Sequence, residues 1–319
     1  MYTTKTLLKK AIWPVYFMLI LAMGLGLPVN SQTSCSSNGS LRTCNLGGSH
    51  TLNYETAPKD IPFTLRSHRR GNAWSYYLEI SPLNGNTFSL VSDNGEQIDI
   101  SITFTSNGGI TEVLNPGVLA GSFGGTTTDT GAFLSIEVDG SLIPSSSRYS
   151  GNFQMELSQY FLIFPIDTET IEFDIVLEVE PNITIRNLGD IDLSNSGITL
   201  GQIIKGSEDF CVGGIGFSNY TVNLSSSNGS TGGGGSSGYE LGGSSENIPY
   251  TVTFSDDLTG TSGIAPGGLG DVPGSFSRRT DESCISDNAR IYISVSPSDW
   301  ENANEPFYTD VLTVTVSSQ

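Results

Sequence analysis

The amino-acid sequence predicts an all-β protein built as two β-sandwich domains, and three observations carry that expectation. No stretch repeats its apolar residues with the 3.6-residue period of a helix. From about residue 50 onward, short runs with an apolar residue at every second position alternate with clusters of Gly, Ser, Asn and Asp, the pattern of a sandwich or barrel. Several of these runs recur in the same order in both halves of the chain, so it reads as a duplicated unit.

The chain opens with Lys5, Lys9 and Lys10, an apolar run over residues 11–27, and small or polar residues to Ser31. That is the charged, apolar, cleavable layout of a secretory leader. Val29 and Ser31 fit the small-residue rule and place cleavage after Ser31, making residues 1–31 the signal peptide. Pro14 and the shortness of the run argue against a membrane anchor. Cleavage removes three lysines and no acid, taking the net charge from −19 to −22. A surface of that sign repels nucleic-acid phosphates and anionic lipid, so neither is expected as a partner.

Four cysteines in an exported chain read as two disulfides. Pairing Cys35–Cys44 and Cys211–Cys284 keeps each bridge inside one domain; the other two connectivities tie the N-terminus to the second domain. No CxxC occurs, and His50 and His68 are the only histidines, so no zinc or redox cofactor is expected.

The clearer strand runs are 98–104, 134–138, 153–157, 171–179, 220–224, 250–254, 291–295 and 312–316. IDISITFTS at 98–106 matches IPYTVTFSD at 248–256, and a Gly/Pro-rich loop follows each. AFLSIEV at 132–138 then matches ARIYISV at 289–295, and SGNFQMEL at 150–157 matches PFYTDVLTV at 306–314. The expected domains are therefore 32–166 and 170–319, joined near residues 167–170. Residues 225–245 are Gly/Ser-rich and read as a flexible loop. Gly234, Ser236 and Gly238 spell G-x-S-x-G there, without the strand and helix a nucleophile elbow needs.

In the closing run, Leu312, Val314 and Val316 point one way and Thr313, Thr315 and Ser317 the other. A half-buried strand needs a neighbour on each side to pair its backbone. Ile171, Phe173, Ile175, Leu177 and Val179 make a second long apolar row. The pattern alone leaves two readings: an ordinary complete sandwich with the closing strand at its edge, or a groove flanked by the two rows whose missing strand comes from another chain.

Four segments of the second domain resemble the spore coat protein U-like pilin domain, the subunit fold of archaic chaperone–usher pili. These are ITIRNLGDIDLS at 183–194 as the opening strand, FCVGGIGFSNYTVNLSSSNG at 210–229, IPYTVTF at 248–254, and FYTDVLTVTV at 307–316. The family's first cysteine, expected near Asn182, is absent, and Cys284 stands in as partner to Cys211. The resemblance implies an incomplete immunoglobulin-like sandwich lacking its seventh strand. A periplasmic pilus chaperone would lend that strand, and the N-terminal donor strand of the next subunit would replace it at the outer-membrane usher.

A subunit that also donates a strand needs an alternating apolar N-terminal extension. In residues 32–53 only Leu41, Leu46 and Leu52 are sizeable and apolar, and they do not alternate. A receiver that cannot donate belongs at the pilus tip, secreted through the periplasm to the cell surface, with domain one touching the target. The resemblance to tip subunits of such pili implies that this target is an abiotic or host surface and that the contact promotes biofilm formation. The expected contact residues are Val113, Leu114, Pro116, Val118, Leu119 and Phe123 in one loop and Leu142, Ile143 and Pro144 in another. Trp74, Tyr76 and Tyr77 form an aromatic group, and Arg66, His68, Arg69 and Arg70 the one basic cluster. No enzyme is expected: nothing orients His50 or His68 beside a serine, and Asp256–Asp257 and Asp281–Glu282 read as turn formers. Asp190, Asp192 and Asn195 lack EF-hand spacing. The competing readings are a secreted carbohydrate-binding protein of two complete sandwiches, or a structural coat or matrix protein.

Overall fold

In a computed structural model, the described residues are 5–6, 35–37, 39–55, 57–140, 143–194, 197–229, 238–281 and 284–319. The apolar run at 11–27 and the expected cleavage site lie outside them, as do Leu142, Asn195, Gly234 and Ser236. The chain divides into an N-terminal unit, residues 20–180, and a C-terminal unit, residues 181–319 with residues 1–19.

The first described strand, β1 (Lys5–Thr6), belongs to the C-terminal unit. The N-terminal unit contains β2 (Leu41–Cys44), β3 (Gly48–Asn53), β4 (Lys59–Arg69), β5 (Asn72–Ala73), β6 (Tyr76–Pro82) and β7 (Ser89–Ser92). It continues with β8 (Gln97–Thr105), β9 (Thr111–Val113), β10 (Ala120–Phe123), β11 (Thr130–Val138), β12 (Arg148–Phe161) and β13 (Phe164–Glu178). Their period of two is explicit in the burial. Ile61, Phe63 and Leu65 of β4 and Ile98, Ile100, Ile102 and Phe104 of β8 are buried, with more exposed residues between them. The sheet curls through β7, so that β2–β4–β11–β8 make one layer and β10–β6–β12–β13 the other. Phe104 of β8 meets Phe123 of β10 edge-on at 4.9 Å, and Phe153 stacks on Phe173 at 5.7 Å.

The C-terminal unit contains β14 (Asn182–Arg186), β15 (Ile191–Asp192), β16 (Ile204–Ile215), β17 (Asn219–Ser226), β18 (Glu240–Gly242), β19 (Asn247–Pro249) and β20 (Thr251–Ser255). It ends with β21 (Asp271–Ser277), β22 (Ala289–Val295), the single-turn helix α1 (Pro297–Trp300), β23 (Thr309–Asp310) and β24 (Leu312–Ser318). One sheet runs β14–β16–β22–β20 and another β21–β17–β24. Phe210, Tyr220, Phe254 and Phe276 interlock in the core. The disulfides are Cys35–Cys44 and Cys211–Cys284, each inside one unit.

The two units share one wiring, as the ordered repeat implies. In each, the first repeated pair is adjacent and antiparallel, β8 with β11 and β20 with β22. The third repeated strand pairs with the equivalent neighbour in each, β12 with β6 and β24 with β17. The domain boundary needs correcting. β13 runs unbroken through residues 167–170, and the division falls after Glu180. Asp167, Thr168 and Thr170 are polar residues of that expected junction, yet β13 holds them in its ladder with β12.

Candidate functional site

The duplicated wiring makes the N-terminal unit an internal reference for the C-terminal one. In the N-terminal unit, β12 is flanked by β6 on one side and β13 on the other. β13 pairs antiparallel with β12 from Phe161↔Phe164 to Arg148↔Glu178, and parallel with the opening strand β3 from Phe173↔Gly48 to Glu178↔Asn53. It brings Ile171, Phe173, Ile175, Leu177 and, just beyond its end, Val179 into the core, all buried. These five residues were expected to line the groove of the C-terminal unit. They instead fill the equivalent position in the N-terminal unit, where both strand edges are paired. Alternation shows that a strand is half-buried but not which strands flank it.

In the C-terminal unit the counterpart of that position is a slot. β24 pairs with β17 and with no other strand among the described residues, and β14 pairs only with β16. β14 leans toward β24 without sharing a ladder with it. Ile183, Ile185 and Leu188 on one side and Val314 and Val316 on the other are only half-buried against the core, whereas Leu312 is fully buried. At the far end of the slot β15 and β23 are bridged by β1. Lys5 and Thr6 pair antiparallel with Asp192 and Ile191, and parallel with Thr309 and Asp310. The expectation that no residue of this chain reaches the slot is therefore corrected at that end. The two residues that do so belong to the stretch read as leader. They run parallel to the closing strand, whereas β13 runs antiparallel to its own.

The closing strand is fixed by polar contacts at its break. Asp310, buried between β23 and β24, accepts hydrogen bonds from the Tyr250 hydroxyl at 2.6 Å, the Ser227 hydroxyl at 2.8 Å, and the amides of Ser227 and Asn228. Burial, then the neighbouring Asp310 charge, pushes the Tyr250 phenol far above its ordinary range. Nearby, Glu305 accepts from the Ser244 and Ser245 amides and the Ser245 hydroxyl, which holds its carboxyl down at about 2. The Tyr308 hydroxyl and the Asn304 amide lower Glu246 similarly. These contacts tie residues 243–246 to the approach of the closing strand.

The expected surface residues of the N-terminal unit separate. Val113, Val118 and Leu119 are exposed, Pro116 and Ile143 half-buried, and Leu114, Phe123 and Pro144 buried. Phe123 is core, packed on Tyr76 and Phe104. Nor do the two loops form one patch. Gly117 bonds to Ile80, midway along the sheet, whereas the Ser145 amide bonds to the Tyr149 hydroxyl, at the end where the chain leaves the unit. Tyr76 is buried, Tyr77 packs edge-on against Tyr160, and the half-buried Trp74 donates its indole N–H to the Tyr160 carbonyl. His50 is bonded to the Leu46 carbonyl at 2.6 Å.

Sequence reasoning missed the most exposed apolar feature. The β12–β13 turn carries six consecutive apolar residues, of which Phe161 is 53 %, Leu162 83 %, Ile163 80 % and Phe164 66 % exposed, with Ile166 also exposed. The run read as the end of a domain. Only the Phe161↔Phe164 register makes it a two-residue hairpin tip. Leu162 takes φ 57°, a conformation such turns normally give to Gly or Asn, so a large apolar side chain is held in solvent at a backbone cost.

Fold and slot together define a two-unit β-sandwich protein with one unit complete and one open along its closing strand. No family model and no curated protein matches the chain. Among solved structures it is similar to the chaperone–tip adhesion subunit pre-assembly complex CsuC–CsuE from archaic chaperone-usher Csu pili of Acinetobacter baumannii. The identity is 11%, covering 86% of this chain and 99% of that one, with a TM-score of 0.43. It is also similar to the CupB6 tip adhesin from Pseudomonas aeruginosa, at 12% identity over 92% and 93% of the two chains and a TM-score of 0.35. A third is CfaE, the adhesive subunit of CFA/I fimbria of enterotoxigenic Escherichia coli, at 12% identity over 86% and 99% and a TM-score of 0.32.

Proposed function

We propose that this protein is the tip adhesin of a pilus assembled by donor-strand exchange. The C-terminal unit receives a foreign strand between β14–β15 and β23–β24, and the complete N-terminal unit attaches the fibre to its target surface, supporting biofilm formation. One observation carries the reading: β12 has β13 along its outer edge, while the repeated strand β24 has no strand along that edge among the described residues, β1 reaching no further than β23 before it. Once export removes residues 1–31, that last contact goes with them and a row of backbone groups beside half-buried aliphatic side chains is left open. An extended segment from a periplasmic chaperone, and later from the neighbouring subunit at the usher, satisfies both.

The N-terminal unit has no such need, since its own β13 completes it. It is free to present apolar residues outward, and Val113, Val118, Leu119 and the 161–166 hairpin are the candidates for the attachment surface. The test is expression of the mature chain in a periplasm with and without a chaperone of this class. The chaperone should co-purify at one-to-one stoichiometry and raise the soluble yield severalfold. A mature chain that does not co-purify with the chaperone and reaches the same soluble yield without it refutes the donor-strand reading.

A further inference from the structure

We propose that the β12–β13 hairpin tip docks into the interfacial region of a lipid bilayer that carries anionic headgroups. The inference rests on the attachment role just proposed and names the partner. β13 spans 15 residues, so the tip stands about 50 Å along the strand from the end where the chain leaves the unit. The ladder with β6 stops at Ser158↔Tyr77, leaving residues 161–166 to project beyond it. The projecting part is anchored below by the Trp74 indole on Tyr160 O and by Gln159 Nε2 on Ser67 Oγ at 2.8 Å.

The collar beneath this apolar tip is mixed with a net positive charge: Asp167, next to Ile166, accepts from the Ser40 hydroxyl at 2.8 Å, while Arg66, Arg69 and Arg70 lie at the end of β4. The Arg69 guanidinium lies 5.2 Å from the Trp74 ring and 5.6 Å from the Phe161 ring, and Arg70 is exposed beside it at the next turn. Neither arginine has an ion-pair partner among the described residues, in a chain of net charge −19. Apolar side chains at the point, aromatic rings behind them and arginines one layer back is the order of chemistry in a membrane interface: acyl chains, then the glycerol region, then phosphates. The overall acidity of the chain argued against anionic lipid. Screening over about 8 Å at physiological salt, however, makes the local collar of three arginines against Asp167, not the more distant carboxylates, decide what the tip meets.

The experiment is flotation of the full mature chain with vesicles of phosphatidylcholine alone and of phosphatidylcholine mixed equally with phosphatidylglycerol. Each arginine near an anionic surface is worth about fivefold, so binding to the mixed vesicles should be roughly 30-fold tighter and should weaken in high salt. Leu162→Asn with Ile163→Gly installs a favoured hairpin turn and so preserves the fold; it should reduce binding to both vesicle types by at least roughly tenfold. Arg70→Gln should cost about fivefold on the mixed vesicles and nothing on the neutral ones. Equal binding to both vesicle types, or an unchanged Asn-Gly variant, overturns the proposal. So does tip-dependent self-association without flotation. Adhesion to polystyrene without flotation removes the lipid partner and leaves the attachment role standing, and failure of the chaperone test leaves this result untouched.

Discussion

Fusing a strand to the mature chain after Gln319, through a short Asp-Asn-Gly turn, would supply what β24 lacks. A strand with large apolar residues at every second position can fold back antiparallel to β24 and lie between it and β14, parting their present contact. Ile183, Ile185, Val314 and Val316 are half-buried now and would be covered on their open side. Completing the burial of a side chain of this size is worth roughly half of the 1.5–3 kcal/mol for full burial, so the acceptor side alone gains about 3–6 kcal/mol. The burial of the inserted side chains is set against the ordering of the inserted backbone. At about 4 °C per kcal/mol for a unit of this size, the melting transition of the C-terminal unit should rise by roughly 12–24 °C. Differential scanning calorimetry of the mature chain with and without the fused strand reads this directly. The control is the same fusion with Ser at its core-facing positions. Equal transitions for all three proteins would show that no strand is missing.

Asp310→Ala should destabilise the C-terminal unit by about 3 kcal/mol in urea titration, because it leaves the buried Tyr250 hydroxyl and the Ser227 amide without an acceptor. The two disulfides should differ. The Cys211–Cys284 loop spans 73 residues and the Cys35–Cys44 loop 9, so the paired serine variants should lose about 4.4 and 2.6 kcal/mol respectively on the chain-entropy estimate. Folding holds the Glu305 carboxyl at about 2, below its ordinary value of 4.5. Its contribution is therefore full above pH 4.5 and is lost as pH falls toward 2; thermal melts across that window should flatten in Glu305→Gln. Gly214 has φ 136°, and an added Cβ would sit 2.0 Å from the Asn182 carbonyl, so Gly214→Ala should detach β14 and abolish strand capture while leaving the N-terminal unit's transition unmoved.

Much of the architecture was legible because it is local. Alternation at 98–104, 291–295 and 312–316 depends only on which residues are apolar, and each became a strand. The ordered repeat correctly paired β8 with β20, β11 with β22 and β12 with β24, since duplicated strands keep their neighbours. What alternation cannot convey is partnership, which is set by residues far apart in the chain. Ile171 through Val179 and Leu312 through Val316 carry the same pattern, yet the former completes a sandwich and the latter borders an open slot. The apolar stretch 161–166 has the composition of a core strand, and only the register that turns the chain between Phe161 and Phe164 sets it in solvent. Composition along the chain thus determined which segments are strands and that there are two units; the tertiary pairing decided which unit is whole, because a hydrogen-bond ladder belongs to two strands at once and neither encodes it alone.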